Sequence, residues 1–349
     1  MTDQRQVRFG IIGAGVAAET HARELARVVG ARLEAVFARD DGKAERFRSA
    51  FDVPKAYSDL DRFLADTCID AVIVATPNGL HRDYALAVCA AGKHVIVEKP
   101  LEINTERAQA IICACKRAGT RLFVIYQRRY SQAARKAKED IAAGRLGKII
   151  LVNIVDNEFR KPEYYQKDYW RGTKELEGGG CLITQSTHLI DLVQYLTGPI
   201  ASVFAYTATA LHAIETEDTA VAVFKFANGA LGTLSSSTAA YPGLRHMVTI
   251  CGTEGSIIFN GEHDQIIFRA SQHDDDLIDY HGEFSFADPV DPRAYPTTGQ
   301  RIQLQKITDA LMAADHAGEV DEPQMLRALQ VSDALYRSAA QGAQALIAD

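Results

Sequence analysis

Over the first 126 positions, apolar residues come in short solid runs separated by longer stretches with helical spacing. The runs are Val7–Ile12, Leu33–Phe37, Ala71–Ala75, His94–Glu98 and Arg121–Tyr126, and the intervening stretches are rich in alanine. Gly30, Gly92 and Gly119 stand just past three of these stretches, where a left-handed residue closes a helix. Strands apolar throughout, rather than at alternate positions, belong to sheets covered by helices on both faces. Strand and helix in regular alternation predict a parallel, doubly wound sheet over residues 1–126.

The pattern then changes. Lys148–Phe159 reads as a long strand, and Gly178-Gly-Gly180 opens a helical stretch that ends at Leu196-Thr-Gly198. Val221–Phe226 and Ala230–Ser236 flank Asn228-Gly229, a preferred two-residue hairpin turn. Met247–Cys251 and Ser256–Phe259 follow, and two helical patterns, Arg301–Ala314 and Pro323–Leu346, close the chain. The stretch 271–300, rich in Asp, Pro and Gly, reads as a surface loop. Residues 127–349 are therefore expected to form an α+β domain with a largely antiparallel sheet, giving an α/β protein of two domains.

Composition narrows the partners. The chain has 349 residues, 47% hydrophobic and 24% charged, with a net charge of −7. That balance suits a globular protein, and no basic run is long enough to follow a phosphate backbone, so nucleic acid is not an expected partner. No apolar stretch approaches the roughly 20 residues of a membrane span. The first residues run into a strand without a signal-peptide core, so a cytoplasmic protein is expected. The six cysteines include no Cys-x-x-Cys pair. They read as buried free thiols, and no metal site is expected.

The chemistry gathers at the ends of the first five runs. Gly13-Ala-Gly15-Val16-Ala17-Ala18 fits G-x-G-x-x-[GA] between a strand and a helix. The first Gly permits a tight turn, the second lets backbone approach a diphosphate, and the small third residue lets helix pack on strand. At the end of the second strand stands Ala38-Arg39-Asp40. An acid at position 38 would hold the ribose of NAD; Ala38 with Arg39 instead favours the 2′-phosphate of NADP. The alternative is that Asp40 serves the ribose and the cofactor is NAD. Thr76-Pro77-Asn78 follows the Ala71–Ala75 run, where Asn78 can reach ribose or substrate; His81 reads equally as a ligand contact or a helix-face residue. Glu98-Lys99-Pro100 ends the run that starts at His94. Ligands of open parallel sheets lie outside such ends, so the Lys99 ammonium is a candidate for moving a proton beside a dinucleotide.

With these pieces placed, the chain resembles the Gfo/Idh/MocA oxidoreductases, the family of glucose–fructose oxidoreductase and inositol dehydrogenases. The matching residues are Gly13-x-Gly15-x-x-Ala18, Ala75-Thr76-Pro77-Asn78-x-x-His81, Gly92 through Glu98-Lys99-Pro100, Trp170-Arg171-Gly172, and Gly178-Gly-Gly180 with His188 and Asp191. The resemblance implies an N-terminal Rossmann domain and a C-terminal domain with a large, mostly antiparallel open sheet that often mediates homodimer or homotetramer formation. It implies NAD(P)-dependent oxidation of a sugar or polyol hydroxyl, or reduction of a keto sugar. Glu163-Tyr164-Tyr165 through Gly172 looks nearest to branches acting on free or nucleotide-linked sugars, such as UDP-N-acetylglucosaminuronate 3-dehydrogenases.

Thr184, His188 and Asp191 fall at i, i+4 and i+7 of the predicted helix and would share one face. An imidazole suits proton transfer near neutral pH. Family members often carry an acid where Thr184 stands; threonine can bond substrate but cannot take a proton, so Lys99 and His188 are the expected catalytic pair. Tyr126-Gln127-Arg128-Arg129-Tyr130 lies at the domain junction. Tyr126 and Arg128 are candidate substrate contacts, Arg128 for an anionic group. Gln127 is a candidate for the nicotinamide carboxamide or the substrate. Trp170 and Arg171 resemble a cofactor-contacting pair, although Trp170 also fits a core anchor. Glu98 belongs to the same cofactor set, and Tyr164 could stack on a pyranose or line an oligomer contact. Two competing functions remain at this point: a redox-assisted glycosidase, and a non-catalytic NAD(P)-binding regulator.

Overall fold

The structure, a computed structural model, describes residues 6–243, 246–260, 265–279, 296–313 and 322–347. It divides into two compact units, residues 1–127 with 297–326, and 128–296 with 327–349.

The first unit holds six parallel strands, β1 (Val7–Ile12), β2 (Ala31–Phe37), β3 (Lys55–Tyr57), β4 (Ala71–Val74), β5 (His94–Val97) and β6 (Leu122–Val124). Their order is β3-β2-β1-β4-β5-β6. The expected doubly wound sheet is present, with the short β3 added to the five apolar runs. The order reverses between β1 and β4, and a ligand crevice opens outside the carboxyl ends of strands at such a point. Connecting helices are α1 (Val16–Leu25), α2 (Asp41–Phe51), α3 (Leu60–Leu64), α4 (His81–Ala90) and α5 (Thr105–Ala118). Asp40, Asp59 and Asn104 cap α2, α3 and α5 through their side chains. Gly30, Gly92 and Gly119 all have positive φ, as the helix-stop pattern requires.

The second unit carries α6 (Gln132–Ala142), β7 (Ile149–Asn157), α7 (Pro162–Gln166), α8 (Cys181–Thr184) and α9 (Thr187–Thr197). The strands β8 (Ile200–Ala208), β9 (Thr219–Phe226), β10 (Leu231–Ser237), β11 (Met247–Gly252), β12 (Gly255–Asn260), β13 (Gln265–Ser271) and β14 (Asp274–Asp279) follow. The nine-stranded order is β14-β13-β12-β11-β7-β10-β9-β8-β15, where β15 is Ala345–Leu346. All its pairs are antiparallel except β7 with β10. Strand β9 shows the two-faced pattern: Ala220, Ala222, Phe224 and Phe226 are buried, while Val221 and Val223 are about half exposed. Leu151, Leu231 and Tyr206 are exposed as well, so one face of this sheet carries uncovered apolar side chains.

Four expectations need correction. The helix α10 (Thr298–Ala313) returns to the first unit, because its apolar stripe, Leu304, Ile307 and Leu311, joins the core of Phe9, Ile11 and Phe123. Polar bonds fix it there: Gln303 Nε2 donates to the Val124 carbonyl at 2.7 Å and Arg121 to that of Ala310 at 2.8 Å. The last helix, α11 (Glu322–Gln341), stops at Gly342, whose φ of +61° ends it, and Ala345–Leu346 pairs with β8. Part of the expected 271–300 loop is the strand β14, while 280–295 lies outside the described residues. The helix expected to run from Gly180 to Leu196 is broken at Gln185-Ser186. Ser186 is fully buried there, its hydroxyl bonded to Asp156 Oδ2 at 2.6 Å and Ser236 Oγ at 2.7 Å. No described helix is long and apolar enough to cross a membrane.

Candidate active site

In the first unit the turn after β1 is built as a diphosphate cradle. Gly13 has φ +115°, and any Cβ there would collide with the Ala75 carbonyl; its N–H donates to Phe37 O at 2.9 Å. Gly15 begins α1 in an extended conformation, and a Cβ on it would meet nothing within 4 Å. No side chain caps this helix start, so its first-turn amides remain available to an anion. Val16 is half-buried and Ala17 exposed on that turn, whereas Ala18 is fully buried, as close helix–strand packing requires. At the end of β2, Ala38 is buried, Arg39 is exposed, and Asp40 accepts from Lys43 N–H at 2.6 Å as the cap of α2.

Lys99, half-buried, is the second residue past β5. Its neighbour Glu98 is held from two sides. His21 Nε2 lies 2.7 Å from Oε1, and the Lys99 amide donates to Oε2 at 3.1 Å. Burial raises the Glu98 pKa, but the His21 bond and the charges of His21 and Lys99 outweigh it, so the net shift is downward and the carboxylate stays ionised. Fully buried His21 is oriented in turn by Gln300 Nε2 on α10, 3.0 Å from Nδ1. Gln127 Oε1 is buried and accepts no hydrogen bond, an orphan acceptor that suits an amide donor. Together the open Gly15 turn and this acceptor fit the diphosphate and carboxamide of a nicotinamide dinucleotide.

Several first-unit candidates do structural work instead. His81 is fully buried, with Nδ1 2.9 Å from the Pro100 carbonyl and Nε2 3.0 Å from that of Thr76. It ties the two turns that carry Thr76 and Lys99, and burial lowers its pKa. Asn78, 8% exposed, sits in the 3-10 turn leading into α4. Tyr126 is buried, its hydroxyl directed to Met325 O at 3.4 Å. Glu98 spends both oxygens on His21 and the Lys99 amide, which makes it a support for Lys99 more than a ligand contact.

In the second unit, His188 occupies the first turn of α9 and is half-buried, while Thr184 ends α8. The break between the helices means that Thr184, His188 and Asp191 do not share one regular helical face. Asp191 points inward: it is 2% exposed and takes two bonds from buried Arg129, at 2.8 Å to Nε and 2.5 Å to Nη2. Burial pushes its carboxyl up, and Arg129 pulls it part of the way back. Thr184 Oγ1 donates to Glu177 Oε1 at 3.1 Å. The triple glycine upstream is sterically required at two positions. A Cβ on Gly179 would strike the Tyr336 hydroxyl, and one on Gly180 the backbone of Glu217. The Glu217 carboxylate accepts from the amides of Gly180 and Leu182, each at 3.0 Å.

The aromatic segment is compact. The Arg171 guanidinium lies 4.1 Å from the Tyr164 ring centroid and 4.4 Å from that of Trp170, bonds the Tyr164 hydroxyl, and pairs with Asp168 at 3.0 Å. Sequence reading missed a buried charged group beside it. Asp156, Glu158 and Arg160 alternate at the end of β7, and His246, next to β11, places Nε2 3.3 Å from Asp156 and 2.8 Å from Glu158. Arg160 also pairs with Glu158, and Arg128 Nη2 lies 3.3 Å from His246 Nδ1. Burial lowers the His246 pKa, but the two acids raise it further. Among the described residues these three form the one His/acid group close enough to hold a metal, yet its charges balance without an ion. The period-two spacing of charges in an apolar strand was the available signal.

A glycine turn open to diphosphate and a lysine after β5 define an NAD-binding oxidoreductase of the Rossmann class. Comparison with known proteins agrees. Residues 7–126 match the oxidoreductase family with an NAD-binding Rossmann fold, and residues 134–258 the GFO/IDH/MocA C-terminal domain. The chain belongs to the Gfo/Idh/MocA oxidoreductase family. It is 28% identical to a myo-inositol 2-dehydrogenase of Thermotoga maritima over 277 residues, 77% of this chain and 80% of that one. It is 28% identical to a levoglucosan dehydrogenase of Pseudarthrobacter phenanthrenivorans over 307 residues, 77% and 78% of the two chains. Among solved structures, the WlbA dehydrogenase of Bordetella pertussis in complex with NADH and UDP-GlcNAcA superposes with a TM-score of 0.85. That pair is 31% identical, covering 99% of this chain and 100% of that one.

Proposed function

We propose that the protein is an NAD(P)-dependent dehydrogenase that oxidises a sugar, polyol or nucleotide-sugar hydroxyl, or reduces the corresponding ketone, with Lys99 and His188 handling the proton. The observation that carries the reading is Lys99 at the carboxyl end of β5, its neighbour Glu98 kept ionised by buried His21. The bound nicotinamide supplies or accepts the hydride; the chain supplies everything else. The Gly13–Gly15 turn and the uncapped start of α1 would hold the diphosphate, and Gln127 Oε1 would accept from the carboxamide. As the neutral amine, Lys99 Nζ takes the hydroxyl proton during oxidation, and as the ammonium it returns it during reduction; His188 is the second candidate for that task. Arg128 supplies positive charge for an anionic sugar.

UDP-N-acetylglucosaminuronate is the first substrate to try, given the 31% identity to a dehydrogenase crystallised with UDP-GlcNAcA. Exposed Arg39, beside an Asp40 committed to capping α2, supports acceptance of a 2′-phosphate and hence NADP(H). The uncovered apolar face of the nine-stranded sheet supports a homodimer or homotetramer. The test follows nicotinamide absorbance with both cofactors across UDP-N-acetylglucosaminuronate, UDP-glucuronate, myo-inositol and levoglucosan. Net reduction with at least one sugar is expected, with a higher kcat/KM for NADP. Binding of the cofactor without turnover of any sugar would overturn the reading, and a marked NAD preference would overturn only the 2′-phosphate assignment.

A further inference from the structure

Two thiols meet inside the first unit. Cys89 lies on the last turn of α4 and Cys115 on the last turn of α5, 3% and 2% exposed. Their sulfurs are 2.8 Å apart, in hydrogen-bond contact. Main-chain bonds fix both residues. The Gly92 amide donates to Cys89 O at 2.9 Å and the Thr120 amide to Cys115 O at 3.0 Å, beside helix stops where Gly92 and Gly119 take positive φ. A disulfide holds its sulfurs about 2.05 Å apart, so closure asks for an approach of less than about 1 Å. Cys113, two residues from Cys115, is exposed instead, its sulfur 3.7 Å from Gln109 Nε2. Sharing one proton makes the pair unequal. The bond from Cys115 draws the Cys89 thiol down against its burial, and the same bond, together with burial, pushes the Cys115 thiol up. Cys89 is thus the nucleophile of the two.

We propose that Cys89 and Cys115 form a reversible oxidation site, closed by a small hydroperoxide into a disulfide that ties α4 to α5. The Cys89 thiolate attacks one peroxide oxygen: an S–O bond forms, the O–O bond breaks and hydroxide leaves. The Cys115 sulfur then attacks the resulting sulfenic acid. The S–S bond forms, the S–O bond breaks, and the Cys115 proton departs with that hydroxide as water. Two thiols together give up two electrons and two protons, and hydrogen peroxide becomes two waters. A dithiol reductant reverses the change by exchange. Burial restricts the site to oxidants small enough to reach sulfurs so nearly enclosed. The two helices are already fastened near their starts, where His81 Nδ1 lies 2.9 Å from the Pro100 carbonyl and Arg107 Nη2 donates to Gly79 O at 2.7 Å. The new bond fastens their far ends and closes a loop that contains β5 and Lys99. Oxidation therefore stabilises the nucleotide-binding unit, chiefly by restricting its unfolded chain.

The experiment treats the full-length protein, freed of reductant, with hydrogen peroxide, and re-reduces a portion with dithiothreitol. Non-reducing peptide mapping by mass spectrometry is expected to find the Cys89 and Cys115 peptides joined, lighter than their sum by two hydrogens, and separate again after dithiothreitol. The thermal midpoint of the oxidised protein should rise by about 5 °C or more and fall back on reduction. Cys113→Ser, which removes the exposed competitor, should keep both the link and the rise; Cys115→Ser should lose both. Two thiols that still alkylate on denaturation after peroxide overturn the site. So does a link through Cys113 or between two copies, or a Cys89 carried to sulfinic acid with no link. A link that leaves the midpoint unmoved overturns the stabilising role. If Cys115→Ser fails to fold, the dithiothreitol reversal in wild type and in Cys113→Ser decides. No sugar is needed at any step, so the outcome stands apart from the dehydrogenase reading.

Discussion

At the carboxyl edge of the six-stranded sheet, the distinctive features are mostly backbone: a turn at Gly13, an open helix start at Gly15, an amide that steadies Glu98. In the second unit they are buried side chains committed to one another, as in Asp191 with Arg129, Thr184 with Glu177, and His246 with two acids. Backbone recognition demands particular residue types at fixed offsets, whereas side-chain networks depend on partners far away in the chain. In the second unit, removing one partner strands another inside low dielectric.

The contrast can be broken in four ways. Lys99→Met carries the largest expected effect, a fall in turnover of about 10²- to 10⁴-fold with cofactor affinity nearly intact, read by steady-state kinetics and fluorescence titration. Near-normal turnover would leave the first unit as a binding module only. Asp191→Ala should cost about 3–5 kcal/mol in denaturant unfolding, because buried Arg129 would lose its two-bond carboxylate partner; a loss under 1 kcal/mol would deny that the second unit depends on its pairs. Next, Gly13→Ala should destabilise by about 1–3 kcal/mol, since its φ of +115° and the Ala75 carbonyl leave no room. Gly15→Ala should fold normally yet bind cofactor more weakly, the new methyl standing where the diphosphate lies; equal effects at both glycines would remove the distinction.

The smallest effect concerns His246. Its folded pKa is raised, so its contribution to stability is complete below the unfolded value, near 6.5, and fades as pH rises through the folded one. The stability gap between wild type and His246→Gln should accordingly narrow from pH 6 to pH 9 in urea titrations. A gap that widens with pH would mean the two acids do not hold its proton.

The same contrast explains what could be read from the chain. Gly13, Gly15, Lys99 and the stops at Gly30, Gly92 and Gly119 were legible because local backbone geometry dictates them. For His81 the residue type alone leaves ligand contact and helix-face residue both open, because burial decides whether a polar ring meets ligand or core. The face expected to join Thr184, His188 and Asp191 failed on one residue, since Ser186 bonds Asp156 and Ser236 from distant strands and interrupts the helix. The group of Asp156, Glu158, Arg160 and His246 escaped notice because its members meet only once β11 pairs with β7. Strand β15 was read as helix for a similar reason: its pairing with β8 lies more than a hundred residues upstream.

Helix α10 carries a consequence for the order of assembly. Phe9, Ile11 and Phe123 are completed by Leu304, Ile307 and Leu311, which a ribosome delivers only after most of the polypeptide has emerged. During translation the nascent amino-terminal sheet waits with part of its greasy surface bare, and chaperones would meet it in that state. Fragments cut before residue 297 inherit the same exposed seam, so attempts to express the nucleotide-binding portion alone should yield aggregates unless α10 is grafted back.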